Sequence, residues 1–167
     1  MTLTVRQATP DEAAVVHAIM AAAYAEYRGV LPVDSSAHAE TVDEVSAAMR
    51  RGGAVLARDG SQAIGSARFV LEEERLYVGR VSVLPSHRRR GVASAIMQAL
   101  ETIALEHGRA AIRLEVRDSL PTNVALYESL GYEIVGTVPH PRGADRIRTL
   151  VKRISRGSPT MTATLQR

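Results

Sequence analysis

The sequence predicts an α/β domain in which about seven strands are interleaved with about four helices. Three observations predict it. The alternating runs Ala54–Arg58 and Gln62–Glu72 meet at Asp59-Gly60, the strongest short hairpin signal in the chain. A further extended run, Leu76–Leu84, stops at Pro85 and leads through a basic turn into a long segment with an apolar stripe. Thr9-Pro10-Asp11-Glu12 has the form of a capping box with proline at the first helical position, so a helix opens there.

Taken in order, Thr2–Gln7 alternates as a first strand. The helix after it runs toward Tyr24 on the stripe Val15, Val16, Ile19, Met20 and Ala23. Residues 29–39 hold Gly, Pro, Asp and Ser without period and read as a loop, of a length that often carries function. Thr41–Arg51 is a short helix with Val42, Val45 and Met49 on one face, ended by Gly52-Gly53. Glu72-Glu73-Glu74 makes a second turn before the strand Leu76–Leu84. The long helix uses Val92, Ile96, Ala99, Leu100 and Ile103 and stops at Gly108. Ala110–Val116 is a strand and Pro121–Leu130 a short helix ended by Gly131. Tyr132–Val138 and Arg146–Ile154 are the last strands, around a loop with Pro, Gly and Asp. Residues 155–167 are rich in Ser, Thr, Pro and Gly and read as a disordered tail, which leaves 1–154 as one folded domain.

Composition narrows the chemistry. With 167 residues, 46% of them hydrophobic and 23% charged, the chain can bury an ordinary globular core. The absence of cysteine excludes disulfides, thiolate metal sites and a cysteine nucleophile. No secretory signal opens the chain and no apolar run could span a bilayer, so a cytoplasmic protein without a membrane partner is expected. The net charge is +3 and the pI about 9.7, yet aromatics are only 4% and the basic residues of 146–153 alternate with apolar ones as in a half-exposed strand. That pattern favours a polyanionic small cofactor over nucleic acid. The five histidines are scattered, with no His-Glu-x-x-His and no clustered carboxylates, so no metal is expected. No Gly-x-Ser-x-Gly is present to support a serine hydrolase.

The basic turn is Arg88-Arg89-Arg90-Gly91-Val92-Ala93, between a strand and a helix. A helix start leaves backbone N–H groups unpaired and carries partial positive charge, so it suits a phosphate. Gly91 and Ala93 keep the backbone accessible, and the arginines add attraction and bidentate contacts. The segment reads as a diphosphate cradle. No Gly-Lys-Ser/Thr follows Gly91 and no Gly-x-Gly-x-x-Gly is present, which removes the P-loop and the dinucleotide fold as rivals. A solvated basic turn is the remaining alternative, and the flanking strand and helix weigh against it.

These six residues resemble the acyl-CoA-binding motif Arg/Gln-x-x-Gly-x-Gly/Ala of the GNAT superfamily of N-acetyltransferases, with Arg88, Gly91 and Ala93 in its specified positions. Ala125-Leu126-Tyr127-Glu128-Ser129-Leu130-Gly131-Tyr132 is similar to the family's Leu-Tyr-x-x-x-Gly-Phe/Tyr signature. The element order matches the GNAT fold over nearly all of residues 2–154. The resemblance therefore implies a central mixed, mostly antiparallel sheet of about seven strands flanked by about four helices.

It also implies an activity: transfer of an acetyl group from acetyl-CoA, as co-substrate, to a primary amine on a small molecule or peptide. In the family the backbone of the segment Val81-Ser82-Val83 pairs with the pantetheine arm, in a slot opened where a local disruption splays the strands. The amides from Arg89 or Arg90 through Gly91, Val92, Ala93 and Ser94 wrap the diphosphate. Tyr127 stands where the family places a general acid near the sulfur; its periodicity alone fits a core tyrosine as well. Many members have Asn seven residues before this Tyr, whereas here Leu120 holds that place and Asn123 follows. Asn123 either takes over the cofactor contact, or caps the helix, or faces solvent. No general base is identified. Tyr77 stands where histone-type relatives have Glu; Glu72–Glu74 read as a solvated tip, His17 as exposed, His38 and Glu40 lie near the loop expected to face the substrate, His87 belongs to the basic turn and His140 to the late loop. Substrate contacts are expected from the loops 24–40 and 138–146, and a homodimer is compatible with the resemblance. Two other readings stay open: a module that binds acyl-CoA without catalysis, and a toxin-type member that acetylates aminoacyl-tRNA.

Overall fold

Residues 1–155 are described by the structure, a computed structural model, so the tail from 156 onward lies outside the described residues. After β1 (Leu3–Gln7) a 3-10 turn over Pro10–Glu12 leads into α1 (Ala13–Tyr24). The capping box at Thr9 is half made. The Thr9 N–H and hydroxyl both donate to the Glu12 carboxylate, at 2.8 and 2.9 Å, while the Glu12 N–H bonds the Thr9 carbonyl instead. Arg6 and Arg58 also donate to Glu12, which ties two strands to the helix start. At α2 (Val42–Arg51) the box is complete, with Thr41 and Glu44 exchanging bonds of 3.1 and 3.2 Å.

β2 (Gly53–Asp59) and β3 (Gln62–Leu71) form the expected hairpin, with Asp59 opposite Gln62 and Gly60 at φ +57° in the turn. β4 (Arg75–Val83), α3 (Val92–Glu106), β5 (Ala111–Arg117), α4 (Pro121–Ser129), β6 (Glu133–Pro139) and β7 (Arg146–Arg153) follow, each within a residue or two of its expected place. The strands form one sheet in the order β1-β2-β3-β4-β5-β7-β6. Only β4 and β5 run parallel, and α3 supplies the crossover such a pair needs.

Alternation along β2 separates two cores. Val55 and Ala57 pack with Ile96 and Leu100 of α3 and Val124 and Tyr127 of α4. Ala54 and Leu56 point the other way, onto Val16, Ile19 and Met20 of α1 and Val45 and Met49 of α2. Helices thus cover both faces, and the place where β4 leaves β5 lies between them. No helix among the described residues is long and apolar enough to cross a membrane.

Candidate active site

Along β4 the apolar residues fall at Leu76 and Val78, then at Val81 and Val83, so the alternation slips by one at Gly79-Arg80. A β-bulge absorbs such a slip. Gly79 pairs with Arg68 and Ser82 with Ser66, so Arg80 and Val81 stand against the single residue Ala67. Arg80 takes φ +52°, and the buried Ser82 hydroxyl donates to the Arg80 carbonyl at 2.9 Å. The extra residue returns Val81 and Val83 to the core that holds Leu76 and Val78. The bulge is the local disruption that the resemblance implies, and the slip of apolar phase is the mark it leaves in the sequence.

Past the bulge the sheet opens. β4 and β5 pair only from Arg75–Val78 opposite Ala111–Leu114. The Leu84 N–H reaches the Ile64 carbonyl of β3 at 2.9 Å, so by alternation the Ser82 main chain also faces β3. The N–H and C=O groups of Val81 and Val83 therefore face the gap, the Val83 carbonyl already accepting from Arg88 at 3.3 Å. Of the three β4 residues expected to meet a pantetheine arm, Val81 and Val83 turn main-chain groups to the gap, whereas Ser82 pairs with Ser66 of β3.

At the far end of the gap the chain turns through Arg89 at φ +59° and Gly91 at φ +78° into α3. The helix ladder begins with the Ala95 N–H on the Gly91 carbonyl, at 3.0 Å. The N–H groups of Arg89, Arg90, Gly91, Val92, Ala93 and Ser94 consequently have no acceptor among the described residues. A run of free N–H groups at the start of a fifteen-residue helix is suited to an anion. Gly91 adds a second reason for glycine to the expected one of backbone access: its φ of +78° is left-handed, and no atom of the chain lies within 4 Å of where its Cβ would be.

Arg88 corrects its expected role as a phosphate ligand. Its guanidinium donates to Glu26, to the Ala23 carbonyl at 3.0 Å and to the Val83 carbonyl at 3.3 Å, and so ties the end of α1 to the end of β4. Arg89 and Arg90 are exposed and form no ion pair among the described residues.

Tyr127 lines a cleft of about 480 Å³ in which Gly79–Val81 and Leu114–Arg117 face each other. The residue is 7% exposed, its ring meets Tyr132 edge-on at 5.9 Å, and its hydroxyl has no hydrogen-bond partner among the described residues. Burial, reinforced by Tyr24 and Tyr27, pushes the phenol far above its ordinary pKa, so the proton stays on oxygen. A protonated, uncommitted O–H can donate a hydrogen bond to negative charge that develops nearby. Asn123 lines the same cleft beside the Tyr27 hydroxyl, half-buried, so it does not simply face solvent. Opposite, Arg117 donates to the Val33 carbonyl at 2.7 Å and Arg142 to the Asp34 carbonyl at 3.2 Å. The Arg142 bond brings together the two loops expected to meet substrate, and the Arg117 bond ties the first of them to β5.

The family profile described as the acetyltransferase (GNAT) family matches residues 17–132. The chain belongs to the GNAT acetyltransferase family. A curated relative, the uncharacterized N-acetyltransferase YjcF of Bacillus subtilis, is 30% identical to this GNAT chain over 81 residues, or 48% of the chain and 56% of the relative. The match thus spans only about half of each protein. Among solved structures, the ribosomal-protein-S18-alanine N-acetyltransferase of Escherichia coli superposes with TM-score 0.75 at 18% identity, covering 96% of this chain and 99% of that one. The yncA protein of Salmonella typhimurium, solved with its cofactor acetyl-CoA, gives TM-score 0.73 at 14% identity, with 95% and 97% covered. At these identities the likeness shows the GNAT fold, with its mixed and mostly antiparallel sheet.

Within this GNAT chain most of the residues weighed as a base are engaged elsewhere; His38 is not, its Nε2 being buried without a hydrogen-bond partner among the described residues. Burial pushes the Glu40 carboxyl up, but hydrogen bonds from Arg68 and Arg80 outweigh it and hold the group below the usual carboxylate range. His17 is not simply exposed: it is half-buried, with Nε2 2.8 Å from the Glu40 carbonyl. Glu72 is no mere tip residue either, since Arg113 donates to it at 2.6 Å, while Glu73 and Glu74 are exposed. His87 is buried against Ser86, and Nδ1 of His140 accepts the Arg142 N–H at 3.0 Å. Tyr77 lies on the cleft wall, 4.5 Å beneath the Arg113 guanidinium. The described residues contain no group of metal-ligating side chains. Arg68, Arg80, Arg117 and Asp145 are the site residues that sequence spacing leaves unmarked, because their partners lie 28 or 40 positions away.

Proposed function

We propose that this GNAT chain moves an acetyl group from acetyl-CoA to a primary amine by direct transfer, and that residues 1–154 are the unit that does so. One observation supports it above others: a gap between β4 and β5 has six unpartnered N–H groups at one end and an uncommitted, protonated phenol along its wall. The residues fit the cofactor. Amides of Arg89–Ser94 take the diphosphate, the open edge at Val81 and Val83 takes the pantetheine amides, and Asn123 adds a polar contact beside the arm. Arg89 and Arg90 act as long-range attraction. Bound acetyl-CoA supplies an acyl group already activated as a thioester.

The chain's own work is positional and protonic. A narrow cleft holds the amine close to the acyl carbon, and such proximity alone can contribute several orders of magnitude in rate. Tyr127 keeps a proton at Oη for the departing sulfur, while the amine gives up its own proton to water. Calorimetric titration with CoA, followed by thiol release from acetyl-CoA across a broad amine panel, tests the reading. Micromolar binding with amine-dependent thiol release is expected. Binding without transfer to any amine would leave only an acyl-CoA-binding module.

A further inference from the structure

The acceptor half of the cleft has a charge pattern of its own. Four guanidiniums line the cleft, those of Arg68, Arg80, Arg117 and Arg142, against the single carboxylate of Glu115. Arg68 and Arg80 share Glu40, and Arg117 binds Asp145 at 3.2 Å. Arg142 is the exception. Its guanidinium donates to the main-chain carbonyl of Asp34 and meets no carboxylate among the described residues.

Its neighbour adds a second donor. The Arg142 N–H donates to Nδ1 of His140 at 3.0 Å, so a neutral imidazole there carries its hydrogen on Nε2. Burial, helped by Arg117 and Arg142, lowers the His140 pKa, so the ring is neutral at ordinary pH. The Ser36 hydroxyl, also on the cleft wall, accepts from Arg80 at 2.8 Å and has its hydrogen left to donate. Donors outnumber acceptors on this wall. A polycationic amine would add more donors and more positive charge to it. A carboxylate on the acceptor would satisfy it, as guanidinium–carboxylate pairs are directional and strong.

Resting on the acetyl-transfer reading, we propose that the acceptor is a small amine bearing a carboxylate, an amino acid or close analogue, and that the Arg142 guanidinium receives that carboxylate. Size argues for a small molecule, since about 480 Å³ must hold both the acyl end of the donor and the acceptor. Glu115, which receives Arg113 at 3.2 Å, suits the ammonium of such a zwitterion before it loses its proton.

The test uses the intact protein and matched pairs: the common L-amino acids against their α-amides, with spermidine, an aminoglycoside and acidic-N-terminal tetrapeptides alongside. Thiol release from acetyl-CoA is followed. At least one free acid should exceed its amide in kcat/KM by about tenfold or more, the size of one charge-assisted bond. R142Q should erase that ratio through KM, and R142K should restore part of it. Amides or polycations used as well as the acids, a ratio that survives R142Q, tetrapeptides preferred over free amino acids, or no acid used while acetyl-CoA binds would each overturn the proposal. Failure of acetyl-CoA to bind at all would instead remove the reading beneath it, and the proposal with it.

Discussion

Nε of Arg80 donates to Oε1 of Glu40 at 2.7 Å, and both terminal nitrogens of Arg68 reach the same carboxylate, at 2.7 and 3.0 Å. One acid thus joins the segment before α2 to the bulge in β4 and to β3. The Glu40 side chain is 14% exposed, so its charge is largely withdrawn from water and two guanidiniums depend on it. E40Q should lower unfolding free energy by about 2–4 kcal/mol, the range for breaking a mostly buried pair. Denaturant midpoints at pH 7 measure this, and a loss under about 0.5 kcal/mol would show the cluster to be ornamental to stability.

The same group sets an acid limit. Glu40 and Asp145 both titrate below ordinary carboxylates; in each, burial acts upward and is outweighed, for Asp145 by the Ser119 hydroxyl, the Arg146 N–H and Arg117. A carboxyl whose folded pKa is depressed contributes stability that is full above its unfolded value, about 4, and is lost as pH falls through the lower folded value. Stability should therefore drop as pH is lowered below about 4. In E40Q and D145N that drop should be shallower, as read from unfolding curves between pH 7 and 2.

Tyr127 separates chemistry from binding. Y127F removes one oxygen from a residue whose ring still packs against Tyr132. Turnover should fall by about 10²-fold, within the span for loss of a general acid, while CoA affinity changes less than threefold. Steady-state kinetics beside calorimetry makes the comparison. Equal losses in both would recast the phenol as part of the binding wall.

The three adjacent arginines should behave differently. R88A loses the tie among Glu26, Ala23 and Val83 and should cost about 1–3 kcal/mol of stability, with little change in the salt dependence of CoA binding. R89A and R90A should leave the unfolding midpoint in place and weaken CoA binding more at low salt than at high salt. Thermal unfolding and titrations at two ionic strengths distinguish them.

Much of this architecture is legible in short-range spacing. Thr41 and Glu44 announce α2, Asp59-Gly60 announces the hairpin, and Gly91 before the stripe Val92, Ile96 and Leu100 announces α3, because caps, turns and periods act over a few residues. The site is legible in its backbone and in Asn123 and Tyr127, which a local signature marks and which both line the cleft. The run Arg89–Ser94 follows from a turn meeting a helix. What spacing does not reveal is where long side chains reach: Arg88 turns back to Glu26, 62 positions away, and Arg117 crosses 28 positions to Asp145. Such pairings depend on the packed sheet. The bulge at Arg80 is intermediate, visible as the slip from Val78 to Val81 although its left-handed residue is not a glycine.

The central claim is that main-chain amides 89–94 hold the diphosphate of coenzyme A while the arm lies in the gap between β4 and β5. A crystal structure of the complex with CoA tests it most directly. Phosphate oxygens should lie within about 3.2 Å of those amides, with the sulfur beside the Tyr127 hydroxyl. Phosphates bound by the Arg89 and Arg90 side chains alone, or an arm lying outside the gap, would contradict it.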